Sequence, residues 1–145
     1  MDEKMHRILV PFDGSEPSLR ALDFAMSLCL GRPVILDVVT VVDLHMVTPF
    51  DGFGLSKSEF STYRQQVREE LLGLAEKRLK GRCHGSRFRV LQGPVLRILY
   101  EETEQDDVVQ VVVGRTGKGL FERLVAGSIS RGLVAHSAKP VTVVP

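Results

Sequence analysis

The apolar run Val108-Val109-Gln110-Val111-Val112-Val113 passes directly into Gly114-Arg115-Thr116-Gly117-Lys118-Gly119, with Gly127-Ser128 further on. That order reads as strand, glycine loop, helix, and its chemistry is anion binding. Glycines let backbone N–H groups approach an anion with no Cβ in the way. A helix starting near Gly127-Ser128 adds unpaired donors and a positive dipole end, which the Ile129 N–H would share. Arg115, Lys118 or Arg123 could neutralise a phosphate chain. The plainer alternative is a tight connection in which Ser128 is an N-cap.

Two common nucleotide fingerprints do not fit. Gly114 and Gly119 have the P-loop spacing, but Leu120 stands where that motif needs lysine, and Lys118 precedes Gly119 instead. Gly117-Lys118-Gly119 meets Glu122 where a dinucleotide-binding motif needs its third glycine. A second candidate loop, Asp13-Gly14-Ser15, follows the apolar segment Arg7 to Pro11. An ionised Asp13 only accepts hydrogen bonds, and ribose hydroxyls or an adenine amino group can donate them. A turn or capping aspartate is the bland reading of the same residue. His6, His45, His84 and His136 lack the spacing of a helical metal pair, and Ser128 and Ser130 lack a nucleophile elbow. Metal ligation and nucleophilic catalysis find no support.

The elements that must position these residues alternate. Arg7 to Pro11 reads as a strand, after which Ser15 can cap a helix carrying Pro17 in its first turn and Leu19, Leu22, Ala25, Met26 and Cys29 at helical spacing. Val34 to Val42 reads as a strand buried on both faces. Asp43 to Leu55 is a long connection, expected to be mobile. Ser56-Lys57-Ser58-Glu59 has the capping-box pattern and opens a helix running to Gly81. Arg87 to Leu91 alternates like a half-exposed strand near a sheet edge. Gly93-Pro94 starts a short helix, the acidic run Glu101 to Asp107 reads as solvated surface, and Val141 to Val144 reads as a final strand after Lys139-Pro140. Five strands separated by helical patterns call for an α/β domain with a parallel sheet covered on both faces. In such sheets ligands bind at the carboxyl ends of the strands, where strand order reverses, and both candidate loops follow strands.

The spacing of Gly114, Gly117, Gly127 and Ser128 resembles the universal stress protein family in its ATP-binding branch. The similarity runs from Arg7-Ile8-Leu9-Val10-Pro11-Phe12-Asp13-Gly14-Ser15 to Ala135-His136-Ser137-Ala138-Lys139-Pro140-Val141-Thr142-Val143-Val144. The resemblance implies an open Rossmann-like sheet of strand order 3-2-1-4-5, of the adenine nucleotide alpha-hydrolase kind, in one domain over residues 1–145. It also implies an ATP site, with or without Mg²⁺, built from Pro11, Asp13, Gly14, Ser15, Val38, Gly114, Arg115, Gly117, Lys118, Gly127, Ser128 and Ile129. The family's second-strand L-H-V segment, which contacts adenine through its valine backbone, lines up with Leu36-Asp37-Val38. Asp37 departs from that pattern, and a carboxylate inside a strand is costly without a partner. It either points to a sheet end or pairs with a nearby base. The implied activity is a homodimeric sensor or regulator in stress response, pairing through Val141 to Val144. A slow ATP hydrolase and a nucleotide-free interaction module are the alternatives; no residue stands out as the base that hydrolysis needs.

Composition agrees with an ordinary domain. A chain of 145 residues buries roughly 70% of its unfolded surface and needs no metal or disulfide staple. Hydrophobic residues make up 43% and charged residues 26%, and a net charge of +1 gives no general attraction to nucleic acid or membrane. Cys29 and Cys83 read as free thiols. Met1 to His6 lacks a signal-peptide core, so the expected compartment is the cytoplasm.

Overall fold

A computed structural model of the chain describes residues 5–43, 56–80, 85–115 and 128–145. Among these residues the elements run β1 (His6–Pro11), α1 (Glu16–Cys29), β2 (Val34–Val42), α2 (Lys57–Leu79), β3 (Ser86–Gln92), α3 (Val95–Thr103), β4 (Val108–Gly114), α4 (Ser128–His136) and β5 (Val141–Val144). Every strand pair is parallel and the order is β3-β2-β1-β4-β5, as expected. The winding reverses at β1, which lies between β2 and β4.

Alternation along the strands sends side chains to two cores. Ile8, Val10, Phe12, Leu36, Val38 and Val112 face one side, where α1 covers them with Leu19, Leu22 and Met26, and α2 adds Ala75. Leu9, Val39, Val111 and Val113 face the other, against Leu99 of α3 and Leu133 of α4. Each fully buried leucine or valine contributes about 1.5–3 kcal/mol from removed apolar surface.

Local chemistry sets the helix ends. Ser15 caps α1, with Pro17 in its first turn. At α2 the Ser56 hydroxyl accepts from the Glu59 N–H at 3.2 Å while the Glu59 carboxylate accepts from the Ser56 N–H at 2.9 Å, completing the expected capping box. Lys80 takes the left-handed position after α2, with φ of 37°; Gly81, the expected stop, lies outside the described residues. So do residues 44–55 of the long connection, together with His45, Cys83 and His84. At Gly132 α4 lies close to α3: a Cβ there would sit 2.8 Å from both a Leu96 methyl and the Tyr100 hydroxyl, so these side chains would have to shift.

Candidate functional site

The carboxyl ends of β1 and β4 open where the winding reverses. The β1–β2 ladder continues one residue beyond Pro11: the Phe12 N–H donates to the Val39 carbonyl at 2.8 Å, and Thr40 Oγ1 donates to the Phe12 carbonyl at 2.7 Å. Pro11 and Phe12 are buried, and the chain then surfaces at Asp13, which is exposed. Asp13 Oδ1 accepts from the Ser15 N–H at 2.9 Å and from the Ser15 hydroxyl, a local Asx turn. Ser15 Oγ in turn receives the Ser18 N–H at 3.4 Å. Gly14 has φ of +80°, and a Cβ there would lie 2.7 Å from Leu71. Glycine is therefore favoured by backbone conformation, while the Leu71 methyl could shift to make room.

At the end of β4, Gly114 meets the start of α1. A Cβ on Gly114 would stand 2.6 Å from the Pro17 carbonyl carbon and 2.7 Å from its oxygen, and backbone cannot move aside as a flexible side chain can. The first turn after the Asp13 loop and the first glycine of the second loop are thus in direct contact. The Arg115 N–H donates to the Val144 carbonyl at 2.8 Å, and Ser130 Oγ donates to the Arg115 carbonyl at 3.0 Å. Ser128 is exposed at the first residue of α4, and Ile129 is half-buried against the second core. The structure brings Pro11, Asp13, Gly14, Ser15, Gly114 and Arg115 to one edge of the sheet. Gly117, Lys118, Gly127 and the alternative base Arg123 lie outside the described residues.

Val38 requires a correction. It is paired with Val10 on one side and Phe88 on the other, is 0% exposed, and belongs to the core under α1 and α2. No atom of it is open to a base. The part of β2 that reaches the carboxyl edge is Thr40 to Val42, because β2 extends past the last residue of β1.

Asp37 is resolved by pairing. Its carboxylate is 0% exposed and accepts two bonds from Arg89, Nε to Oδ1 at 3.0 Å and Nη2 to Oδ2 at 2.6 Å, one from Arg87 Nη2 at 3.1 Å, and one from Arg7 Nη1. Arg89 also reaches Glu102 of α3 at 2.7 Å, and Arg7 Nε lies 3.0 Å from Asp107 Oδ2. Three arginines thus face three carboxylates in the amino half of the sheet. Burial alone would raise the Asp37 carboxyl, but bonds from Arg89 and Arg87 and their charges outweigh it and hold the group below its ordinary value. Arg89 is likewise held above its ordinary value, bonds to Glu102 and Asp37 overcoming the opposite effect of burial. Glu102 and Asp107, expected in a solvated acidic run, are instead partly covered members of this network. The signal available in the sequence was the lone Asp37 in an apolar strand together with Arg87 and Arg89 at alternate positions.

A family model for the universal stress protein family matches residues 4–145. The chain belongs to that family. This universal stress protein is similar to one from Mycobacterium tuberculosis, 30% identical over 153 residues that take in 95% of the chain and 47% of the relative. It is also similar to one from Methanocaldococcus jannaschii, 27% identical over 95% of the chain and 81% of the relative. The chain spans about half the length of the mycobacterial relatives. Among solved structures, a universal stress protein in complex with cAMP has a TM-score of 0.70 at 21% identity over 99% of both chains. The universal stress protein from Archaeoglobus fulgidus in complex with dAMP has a TM-score of 0.67 at 17% identity over 98% of both. At these identities the likeness is one of fold.

Proposed function

We propose that this chain binds an adenine nucleotide at the carboxyl edge between β1 and β4, and that the ligand is ATP, with or without Mg²⁺. The observation that supports the reading is the contact of Gly114 with the first turn of α1, which sets the end of β4 beside the element that follows the Asp13 loop. Relatives of the same fold solved with cAMP and dAMP support adenine as the base. The described residues fit such a ligand. Asp13 offers an exposed carboxylate to ribose or base, and the start of α4 at Ser128 and Ile129 offers backbone donors to phosphate. Gly117, Gly127 and Lys118 complete the cradle in this reading, and half-buried Val41, on the part of β2 beyond β1, takes the place beside the base that Val38 is too buried to fill. Among the described residues no group of three His, Cys, Asp or Glu could hold a metal, so magnesium would arrive with the phosphates.

In this reading the protein is a cytoplasmic, dimeric, nucleotide-dependent regulator. The half-exposed β5 lies at the sheet edge and is the strand offered to a second copy. The test begins with freshly purified protein: denaturation, identification of released nucleotide by mass spectrometry, then titration of stripped protein with ATP, ADP and AMP, with and without Mg²⁺. ATP near one per chain, with binding lost in Gly117→Val, supports the reading. Absence of nucleotide and of affinity leaves an interaction module. Sedimentation across a range of protein concentrations tests the dimer independently.

A further inference from the structure

Two buried hydroxyls stand behind the two loops, each reaching in from a neighbouring element. Thr40, on β2, is 6% exposed and donates to the Phe12 carbonyl; Ser130, on α4, is 4% exposed and donates to the Arg115 carbonyl. Phe12 immediately precedes Asp13, and Arg115 immediately follows Gly114. Both are residues at which the chain leaves its strand. In each, the N–H is already held by the adjacent strand, Phe12 by Val39 and Arg115 by Val144, both at 2.8 Å. The hydroxyl secures the other end. With N–H and C=O both fixed, the orientation of the next peptide is set as well, and that peptide carries Asp13 in one loop and opens the glycine loop in the other.

We propose that Thr40 and Ser130 are positioning residues of the nucleotide site, holding the exit peptides of β1 and β4 in their binding geometry before a ligand arrives. The inference rests on the nucleotide reading given above. Preorganised loops spare a ligand the cost of ordering them, so loss of either hydroxyl should weaken binding without removing any ligand contact. Burial makes the hydroxyls hard to replace by water, because a carbonyl left unbonded inside the protein has no ready substitute partner.

The experiment compares nucleotide affinity in Thr40→Val, Ser130→Ala and Thr103→Val. Thr103 is the control: it is 0% exposed, donates to the Tyr100 carbonyl at 2.7 Å and accepts from the Ala138 N–H at 3.1 Å, at the last residue of α3, which leads into the amino end of β4. Thr40→Val and Ser130→Ala should each weaken ATP binding about tenfold, with faster amide exchange at residues 13–15 and at Arg115 respectively. Thr40→Ser and Ser130→Thr should restore affinity to within about twofold, since each returns the donor. Thr103→Val should lower the melting temperature and leave affinity unchanged. Wild-type affinity in both Thr40→Val and Ser130→Ala, or an equal loss in Thr103→Val, overturns the inference while the nucleotide reading stands. A wild-type protein without affinity for any adenine nucleotide overturns both. If Thr40→Val does not fold, Ser130→Ala with its Ser130→Thr rescue carries the test alone.

Discussion

In the amino half of the sheet Asp37 is fully buried against Arg7, Arg87 and Arg89, whereas at the carboxyl edge Asp13 is exposed and bonded within its own turn. Asp37 stands inside a β-strand, and Asp13 at the exit of one. The difference lies in what surrounds them. Asp37 has its acceptor capacity taken up by guanidinium groups from β1 and β3, so it serves the packing of β3 and α3 onto the sheet. Asp13 keeps a solvent-facing carboxylate next to a glycine forced into φ of +80° and a helix cap, so its surroundings leave room for a ligand. One end of the sheet uses polar groups to hold strands together; the other presents them.

The largest expected effect separates the two ends most cleanly. Asp37→Asn removes the charge that three arginines share, and breaking a buried ion network of this kind costs about 3–5 kcal/mol. Urea denaturation should show that loss at neutral pH, while nucleotide affinity of the folded variant stays at the wild-type value; a variant as stable as wild type would remove the network from the account. The same group gives the sign of an acid effect. Its folded pKa lies below the ordinary 3.8, so its contribution is present above that value and is lost as pH falls through the lower, folded value. The acid limb of stability should therefore flatten in Asp37→Asn.

Gly114→Ala should cost about 1–3 kcal/mol, because the new methyl is driven into Pro17 backbone. Unlike Asp37→Asn it should also weaken nucleotide binding, and unchanged affinity would detach the glycine loop from the site. Ser15→Ala should cost about 1 kcal/mol through the lost cap of α1, and thermal melting would register it. The smallest change has the opposite sign. Gly73 lies within α2 with open space where a Cβ would go, so Gly73→Ala should stabilise the protein by about 0.5–1 kcal/mol. Destabilisation instead would reveal a neighbour of α2 at that face.

Much of the fold was legible because local signals were strong and agreed with one another. Val34–Val42 matches its expected bounds, the Ser56-to-Glu59 box closes as read, and β3 lies at the edge that its alternation indicated. The site was legible in part. Asp13, Gly14, Ser15 and Gly114 follow strands by sequence order, and strand order alone sends them to a common edge. Val38 was not legible because register, which no local pattern encodes, decides how far β2 runs beyond β1. Glu102 and Asp107 read as surface because acidic runs usually are; their arginine partners come from β1 and β3, distant in the chain.

The sequence by itself determined the βα alternation, the caps, the glycines and the family, since each depends on residues close together in the chain or on a pattern of spacing. The tertiary structure alone decided which carboxylate is buried and which is exposed, that Gly114 must be glycine because Pro17 lies against it, and that Thr40 and Ser130 reach the exit carbonyls. Those facts depend on how closely separate elements approach and in what register, and that is set by the summed packing of both cores rather than by any one segment.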